Sequence, residues 1–239
     1  MPSESKLLIL SGAGLSADSG IQTFRGSSGL WMNHSVDEVA NGLTWKSNWD
    51  VVRKFYNSRR TELGTVEPNS MHKFIAEWQK KYSTTILTQN IDDLLERAGC
   101  TDVVHLHGKL TELRCEACGA VWDIGYNEHE ENGRCTHFKC NSLKGVRPNV
   151  VFFHEMAPNY RHMYKALREL NEGDVILVIG TSGVVLDINS LIFDRPGIKI
   201  LNNLEPNDLI NDRYFNHAIY GKASDVAKQV NNLLIKYLG

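Results

Sequence analysis

Four of the five cysteines in this chain fall within 26 residues, as Cys115-x2-Cys118, a sixteen-residue interval, then Cys135-x4-Cys140. Zinc takes four soft or borderline ligands in a tetrahedron, and two turn-borne pairs can supply them. The spacing matches a zinc ribbon whose second pair is wider than the usual two-residue gap, so His129 or His137 could stand in for one cysteine there. The interval includes the polar run Asn127–Gly133, which cannot form a core of its own, so a metal staple is physically motivated. Four thiolates leave zinc no open coordination position, which makes the expected site structural. Cys100 reads as an inert thiol.

A second group of chemistry-bearing residues sits where short apolar runs end. Leu7–Leu10 runs into Ser11-Gly12-Ala13-Gly14-Leu15-Ser16-Ala17. This follows the G-x-G-x-x-G/A spacing that brings backbone N–H groups to a phosphate, although the same residues serve a plain turn. Thr84–Leu87 ends in Gln89-Asn90-Ile91-Asp92, and Val103-Val104 ends in His105-Leu106-His107-Gly108. Asp174–Ile179 ends in Gly180-Thr181-Ser182-Gly183, and Ile198–Leu201 in Asn202-Asn203-Leu204-Glu205.

The elements that must position these groups follow from periodicity. Asp50–Leu63 has an apolar stripe of Val51, Val52, Phe55 and Tyr56, with Gly64 as its stop, which predicts a helix. Tyr56 and Arg59 are three apart and share a face of it, as a solvated amphipathic edge or as a binding pair. Asn69–Tyr82, Asp92–Ala98 and Ser224–Leu238 are the other predicted helices. Five apolar runs alternating with helices predict an α/β fold with a doubly wound parallel sheet, whose ligands sit beyond the carboxyl ends of the strands. Five polar turns converging on one edge favour a nucleotide site over plain turns.

Composition narrows the partners. A formal charge of −2 and no long basic cluster give no case for nucleic acid, and no apolar run is long enough to span a membrane. The polar opening MPSESK lacks a signal-peptide core, so the expected compartment is the reducing cytoplasm, which also favours metal ligation over disulfides.

Taken in order, GAGLSADSGIQTFRG, TQNIDDL, HLHG, the cysteine pairs, PNVVFFHEMAP, GTSG and NLEP resemble the sirtuins, the NAD-dependent protein-lysine deacylases. The ordered set covers nearly the whole chain. The resemblance implies a Rossmann-like NAD-binding domain (1–26, 66–110 and 148–239) and a small domain of helices (27–65) and zinc ribbon (111–147). It implies one structural zinc held by Cys115, Cys118, Cys135 and Cys140. NAD is implied as co-substrate, lying against Gly12, Ala13, Gly14, Ser16, Phe24, Arg25, Gln89, Asn90, Ile91, Asp92, Gly180, Thr181, Ser182, Asn203, Leu204, Glu205 and Ala223. His107, with Asn90 and Asp92, is implied as the catalytic group, taking a proton from a ribose hydroxyl as a neutral imidazole suits.

The substrate is implied to be an acylated lysine of a protein or peptide, held by Val151, Phe152 and Phe153. The Tyr56-x-x-Arg59 spacing resembles the sirtuin branch that removes succinyl and malonyl groups, where a Tyr hydroxyl and a guanidinium fork grip the acyl carboxylate. Two departures stand out. His154 replaces the glycine of the family's F-G-E, which implies altered peptide pairing, and Val185-Leu186-Asp187-Ile188 replaces its V-x-P-A. Other readings of the same residues are an NAD glycohydrolase, an ADP-ribosyltransferase or a non-enzymatic NAD sensor.

Overall fold

Leu7–Leu10 and Val175–Ile179 carry no polar side chain, and only a strand covered on both faces can use such a run. In the computed structural model, which describes residues 5–22, 30–31, 34–130, 134–137, 139–140, 142 and 145–239, they become the adjacent central strands of a parallel sheet.

The first part of the chain gives β1 (Lys6–Ser11), α1 (Gly14–Ala17), β2 (Leu30–Trp31), β3 (His34–Ser35), α2 (Val36–Val39) and α3 (Trp49–Leu63). Next come α4 (Ser70–Lys81), β4 (Ser83–Thr88), α5 (Leu94–Arg97), β5 (Val104–His105), β6 (Gly108–Cys115), β7 (Val121–Asp123) and β8 (Val146–Val150). The remainder supplies α6 (Tyr160–Arg168), β9 (Val175–Ile179), α7 (Ile188–Ile192), β10 (Ile198–Asn203), β11 (His217–Tyr220) and α8 (Ala223–Leu238).

The parallel sheet runs in the order β11-β10-β9-β1-β4-β5. Its register puts Ile9 beside Ile86 on one side and Leu177 on the other. Because alternate residues face opposite sides of a strand, Leu7 and Ile9 pack with Met71, Ile75, Val230 and Leu234 of α4 and α8. Leu8 and Leu10 pack with Met163, Leu167, Ile188 and Ile192 of α6 and α7. That is the predicted doubly wound arrangement, with every predicted strand present.

Four differences have physical reasons. The helix predicted over 92–98 is one turn, Leu94–Arg97, because Asp92 accepts the Leu94 N–H at 3.2 Å and ends the preceding turn. The edge strand β11 is only four residues and half exposed, so it lacks an apolar run. Helix α6 buries only Met163 and Leu167, too sparse a stripe to stand out. Helix α7, started by Asp187, which accepts the Ser190 N–H at 3.1 Å, is five residues long and too short for its periodicity to show.

A second sheet, β7-β6-β8, is antiparallel with an irregularity between Lys109 and Leu113. Helix α3 leans on it through buried charge. Arg60, fully buried, donates to Asn127 O at 3.0 Å and Leu110 O at 3.3 Å, tying helix, strand and polar loop together. Among the described residues no helix is long and apolar enough to cross a membrane.

Candidate active site

The carboxyl ends of β1, β4, β9 and β10 open on one cavity of about 710 Å³. Gly12, Ala13, Gly14, Ser16, Gln89, Asn90, Ile91, Asp92, His107, Gly180, Thr181, Ser182, Asn203, Leu204, Glu205 and Ala223 all line it. So do Tyr56, Arg59, Val151, Phe152 and Phe153, which brings both predicted groups to a single space. Phe24 and Arg25, with the Gly26–Gly29 patch, lie outside the described residues.

The glycines of the first turn serve a close backbone contact besides lining the cavity. A Cβ on Gly14 would stand 2.7 Å from Gly180 Cα, and one on Gly12 2.8 Å from Gly180 O. They are needed so that two strand-end turns can touch. Gly180 itself has φ +61°, a conformation glycine adopts without strain. The N–H groups of Gly12, Gly14, Leu15 and Ser16 bond to carbonyls of the protein, so this turn offers an anion fewer donors than its spacing suggests. Asn203 likewise commits its amide to the neighbouring turn, accepting the Thr181 N–H at 3.0 Å and donating to Thr181 O at 2.9 Å.

Ser16 joins the catalytic candidates. Its hydroxyl receives Asn90 Nδ2 at 3.1 Å and stands 3.4 Å from His72 Nε2. His72 Nδ1 accepts the Asn69 N–H at 3.3 Å, so the ring proton is on Nε2 and points at Ser16. Burial lowers the His72 pKa to about 4, which keeps this ring neutral. Asp92 is pushed up by burial, opposed by the Ser16 hydroxyl. His72 carried no signal in the sequence, since it reads there as one more position of an amphipathic helix.

The two histidines of HLHG separate cleanly. His105 is buried, with Nδ1 on Asn90 O and Nε2 on Glu96 Oε1, each at 2.8 Å, and it braces the Asn90 loop from behind. His107 faces the cavity. Its Nδ1 donates to Gln89 O at 3.0 Å, which leaves Nε2 as the lone-pair nitrogen, and Tyr160 Oη donates to it at 2.9 Å. Burial lowers the His107 pKa, partly offset by the Gln89 carbonyl, so the ring is a neutral base.

Tyr56 is fully buried and stacks on Phe152 with centroids 5.8 Å apart. Burial pushes its phenol up, so the hydroxyl stays protonated. Arg59 is 4% exposed, pairs with Glu62 and donates to Gln22 O at 3.4 Å. Above them, Val151 N donates to His107 O at 2.9 Å, Phe152 N to Glu155 Oε2 at 2.9 Å and Phe153 N to Ala40 O at 2.8 Å. These three amides are therefore already engaged. The next residue, His154, has φ +68°.

The cysteine cluster lies at the far end of the antiparallel sheet. All four Sγ atoms are within 4.8 Å of one another, with Cys115–Cys140 and Cys118–Cys135 both 3.6 Å apart. Four sulfurs on one zinc at about 2.3 Å stand about 3.8 Å apart, so the set fits. Among the described residues no histidine joins it. His129 packs edge-on to Trp49 at 5.7 Å, and the cluster of four thiols, which includes neither His129 nor His137, answers the open question of the second pair.

The Sir2 family profile matches residues 12–187. An NAD-dependent protein deacylase of Helicobacter hepaticus is 41% identical, over 97% of this chain and 98% of that protein. One of Campylobacter jejuni is 43% identical, over 87% of each. A solved Sir2 homologue–NAD complex superposes with a TM-score of 0.84 at 34% identity, over 99% of this chain and 92% of that one. A Sir2–p53 peptide–NAD complex gives 0.77 at 26% identity, over 95% and 92%.

Proposed function

The chain belongs to the Sir2 family, and we propose that its cavity is where NAD and an acidic acyl-lysine meet. Its activity is NAD-dependent protein-lysine deacylation. NAD, when bound, supplies an anomeric carbon that nicotinamide leaves and the acyl amide oxygen attacks. The chain's residues hold these partners and move protons. The turns at 12–16 and 180–182 line the nucleotide end, with Asn203 fixing the second turn and Leu204, Glu205 and Ala223 at its rim. The Ser16–Asn90–Asp92 group braces the neighbouring wall.

His107 presents a neutral Nε2 to the cavity and takes a proton from a ribose hydroxyl, an arrangement suited to a base at neutral pH. Tyr56 and Arg59 form the acyl end of the cavity. A protonated phenol and a guanidinium in a desolvated pocket suit the distal carboxylate of succinyl- or malonyl-lysine. Glu62 anchors Arg59 in place. The observation that carries the reading is that one cavity is lined by both His107 and the Tyr56/Arg59 pair.

The test is mass spectrometry of one peptide bearing acetyl-, succinyl- or malonyl-lysine, with and without NAD. The acidic groups are expected to be lost faster. Arg59→Met should slow desuccinylation about 10- to 100-fold more than deacetylation, the range of a hydrogen bond to a charged group. Equal losses on both substrates would demote the pair to a structural edge. His107→Ala should abolish acyl loss and leave NAD binding. Free nicotinamide without acyl loss in the wild type would move the chain to the glycohydrolase or ADP-ribosyltransferase class.

A further inference from the structure

We infer that Tyr160 is a positioning residue for His107. Its hydroxyl holds the base's lone pair toward the cavity in the free enzyme and yields that place to the substrate hydroxyl. The inference rests on the assignment of His107 as base and adds a residue outside the motifs that suggested it.

The geometry is specific. A carbonyl can only accept, so Gln89 O fixes the proton of His107 on Nδ1. Nε2 can then only accept, and the group it accepts from is the Tyr160 hydroxyl, at 2.9 Å. The two rings stand 5.8 Å apart at 49°. Both residues line the same cavity. Tyr160 is the first residue of α6, and the residue before it is tied to the last residue of β5, two before His107. Asn159 Nδ2 donates to His105 O at 2.7 Å. The helix start and the HLHG turn are therefore pinned together one residue from the phenol and two from the imidazole. Tyr164, one turn further on, stands edge-on to Tyr160 at 6.5 Å and braces it.

The hydroxyl donates to a nitrogen whose task is to accept a proton. A donor on Nε2 favours the neutral ring over the imidazolium, so it lowers the basicity of His107 while it is present. When a substrate hydroxyl enters, one O–H donor replaces another and the imidazole keeps its orientation. No charged side chain is among the causes of the lowered His107 pKa; burial leads, and the Gln89 carbonyl opposes it. Tyr160 is the titratable group bonded to the ring, with Tyr164 behind it. Burial raises the Tyr160 phenol too, so it stays a donor throughout the working range.

The test uses the whole chain carrying Tyr160→Phe. Nitrogen-15 NMR of the His107 imidazole in the free protein should show the Nδ1–H tautomer in the wild type. The variant should titrate at a pH higher by several tenths to one unit, with a more mobile ring. With NAD and acyl-peptide, the acid limb of kcat/KM should move up by the same amount, with kcat at neutral pH several-fold lower. Nicotinamide exchange, which precedes the use of the base, should stay within about twofold.

An unchanged His107 titration would overturn the inference, whatever the activity. A changed titration in a protein without acyl transfer would uphold the contact and overturn the reading of the reaction. Should Tyr160→Phe fail to fold, fluorinated tyrosine at 160 keeps the side chain's shape and makes a stronger donor. It should move the titration down, and no movement would count against the inference.

Discussion

The two ends of the cavity bury polarity in opposite ways. Around the parallel sheet the buried polar residues are mostly neutral: Ser11, Ser16, His72, Thr88, Asn90, Thr181, Asn202 and Asn203. Each hydrogen-bonds to a neighbouring turn, over an apolar core on both faces of the sheet. Around the antiparallel sheet three guanidinium groups, Arg59, Arg60 and Arg147, are buried beside the neutral Asn57, Thr111 and His129, and the small local core of Leu113, Cys115, Cys135 and Val146 includes two of the thiols. The first region is held by hydrophobic burial and aims its dipoles cheaply. The second has an apolar core where α3 meets Leu110, Val150 and Phe152, but its cysteine end has only that small cluster and depends on charge pairs and a metal.

Removing the metal tests this contrast most severely. Structural zinc contributes on the order of 10–16 kcal/mol in small ribbons at neutral pH. Chelation or Cys115→Ala should therefore melt the antiparallel sheet while the parallel sheet survives. Calorimetry should show one melt split into two. A single unshifted transition would mean that the small core suffices alone.

The second test is Arg147, whose guanidinium is fully buried and bonds to Glu116 at 2.9 Å, Glu155 at 2.6 Å and Val150 O at 3.1 Å. It also covers Phe152, 4.3 Å from the ring centroid. Arg147→Met strands two carboxylates and should cost about 3 kcal/mol, the lower end for a broken buried pair because both glutamates are partly exposed. Chemical denaturation measures it, and adding Glu155→Gln should recover part of the loss. A cost below about 1 kcal/mol would mean that packing holds this region.

The neutral region has an acid weakness instead. Burial holds His72 at about 4 against 6.5 for an ordinary histidine, so the native state binds fewer protons than the unfolded chain between those values. Stability should therefore be complete above pH 6.5 and fall as pH drops toward 4, by about 3 kcal/mol from this residue. Denaturation at pH 7 and pH 4.5 of wild type and His72→Gln isolates it, because the variant should lack that part of the slope. Parallel curves would show that His72 is protonated in the fold.

These contrasts mark what was legible beforehand. Runs such as Leu7–Leu10 and Val175–Ile179 could only be central strands, and the polar ends of the strands had to converge once the sheet was parallel. Cysteine spacing named the ligand set, but only the approach of all four sulfurs in the fold removed the histidine alternatives. His107 was named from its motif, whereas Tyr160 beside it and His72 beside Ser16 were not. His72 sits on a helix whose periodicity explains it without function, Tyr160 opens a helix too sparse in apolar residues to stand out, and a contact between residues 53 apart, such as His107–Tyr160, leaves no local pattern. The glycines of the first turn line the cavity, and their contact with Gly180 is a second need for them that no local pattern shows.

His154 is where sequence and backbone disagree most usefully. The expectation was that a bulky residue in place of the family's glycine would alter how a peptide pairs with this segment. The backbone keeps the left-handed conformation that glycine prefers, with φ +68°, and the exposed residue lines the cavity. Ala40 and Gly42 hold both polar atoms of Phe153, at 2.8 and 2.9 Å, so the turn has little freedom to relax. A side chain in this region costs roughly 1–2 kcal/mol, somewhat less for His than for most. Ala at 154 would keep that cost and Gly would remove it. His154→Gly should therefore melt about 2–4 °C above His154→Ala, as about 1 kcal/mol shifts a chain of this size. Should the two melt together, the strain is absent and the segment adapts to its residue.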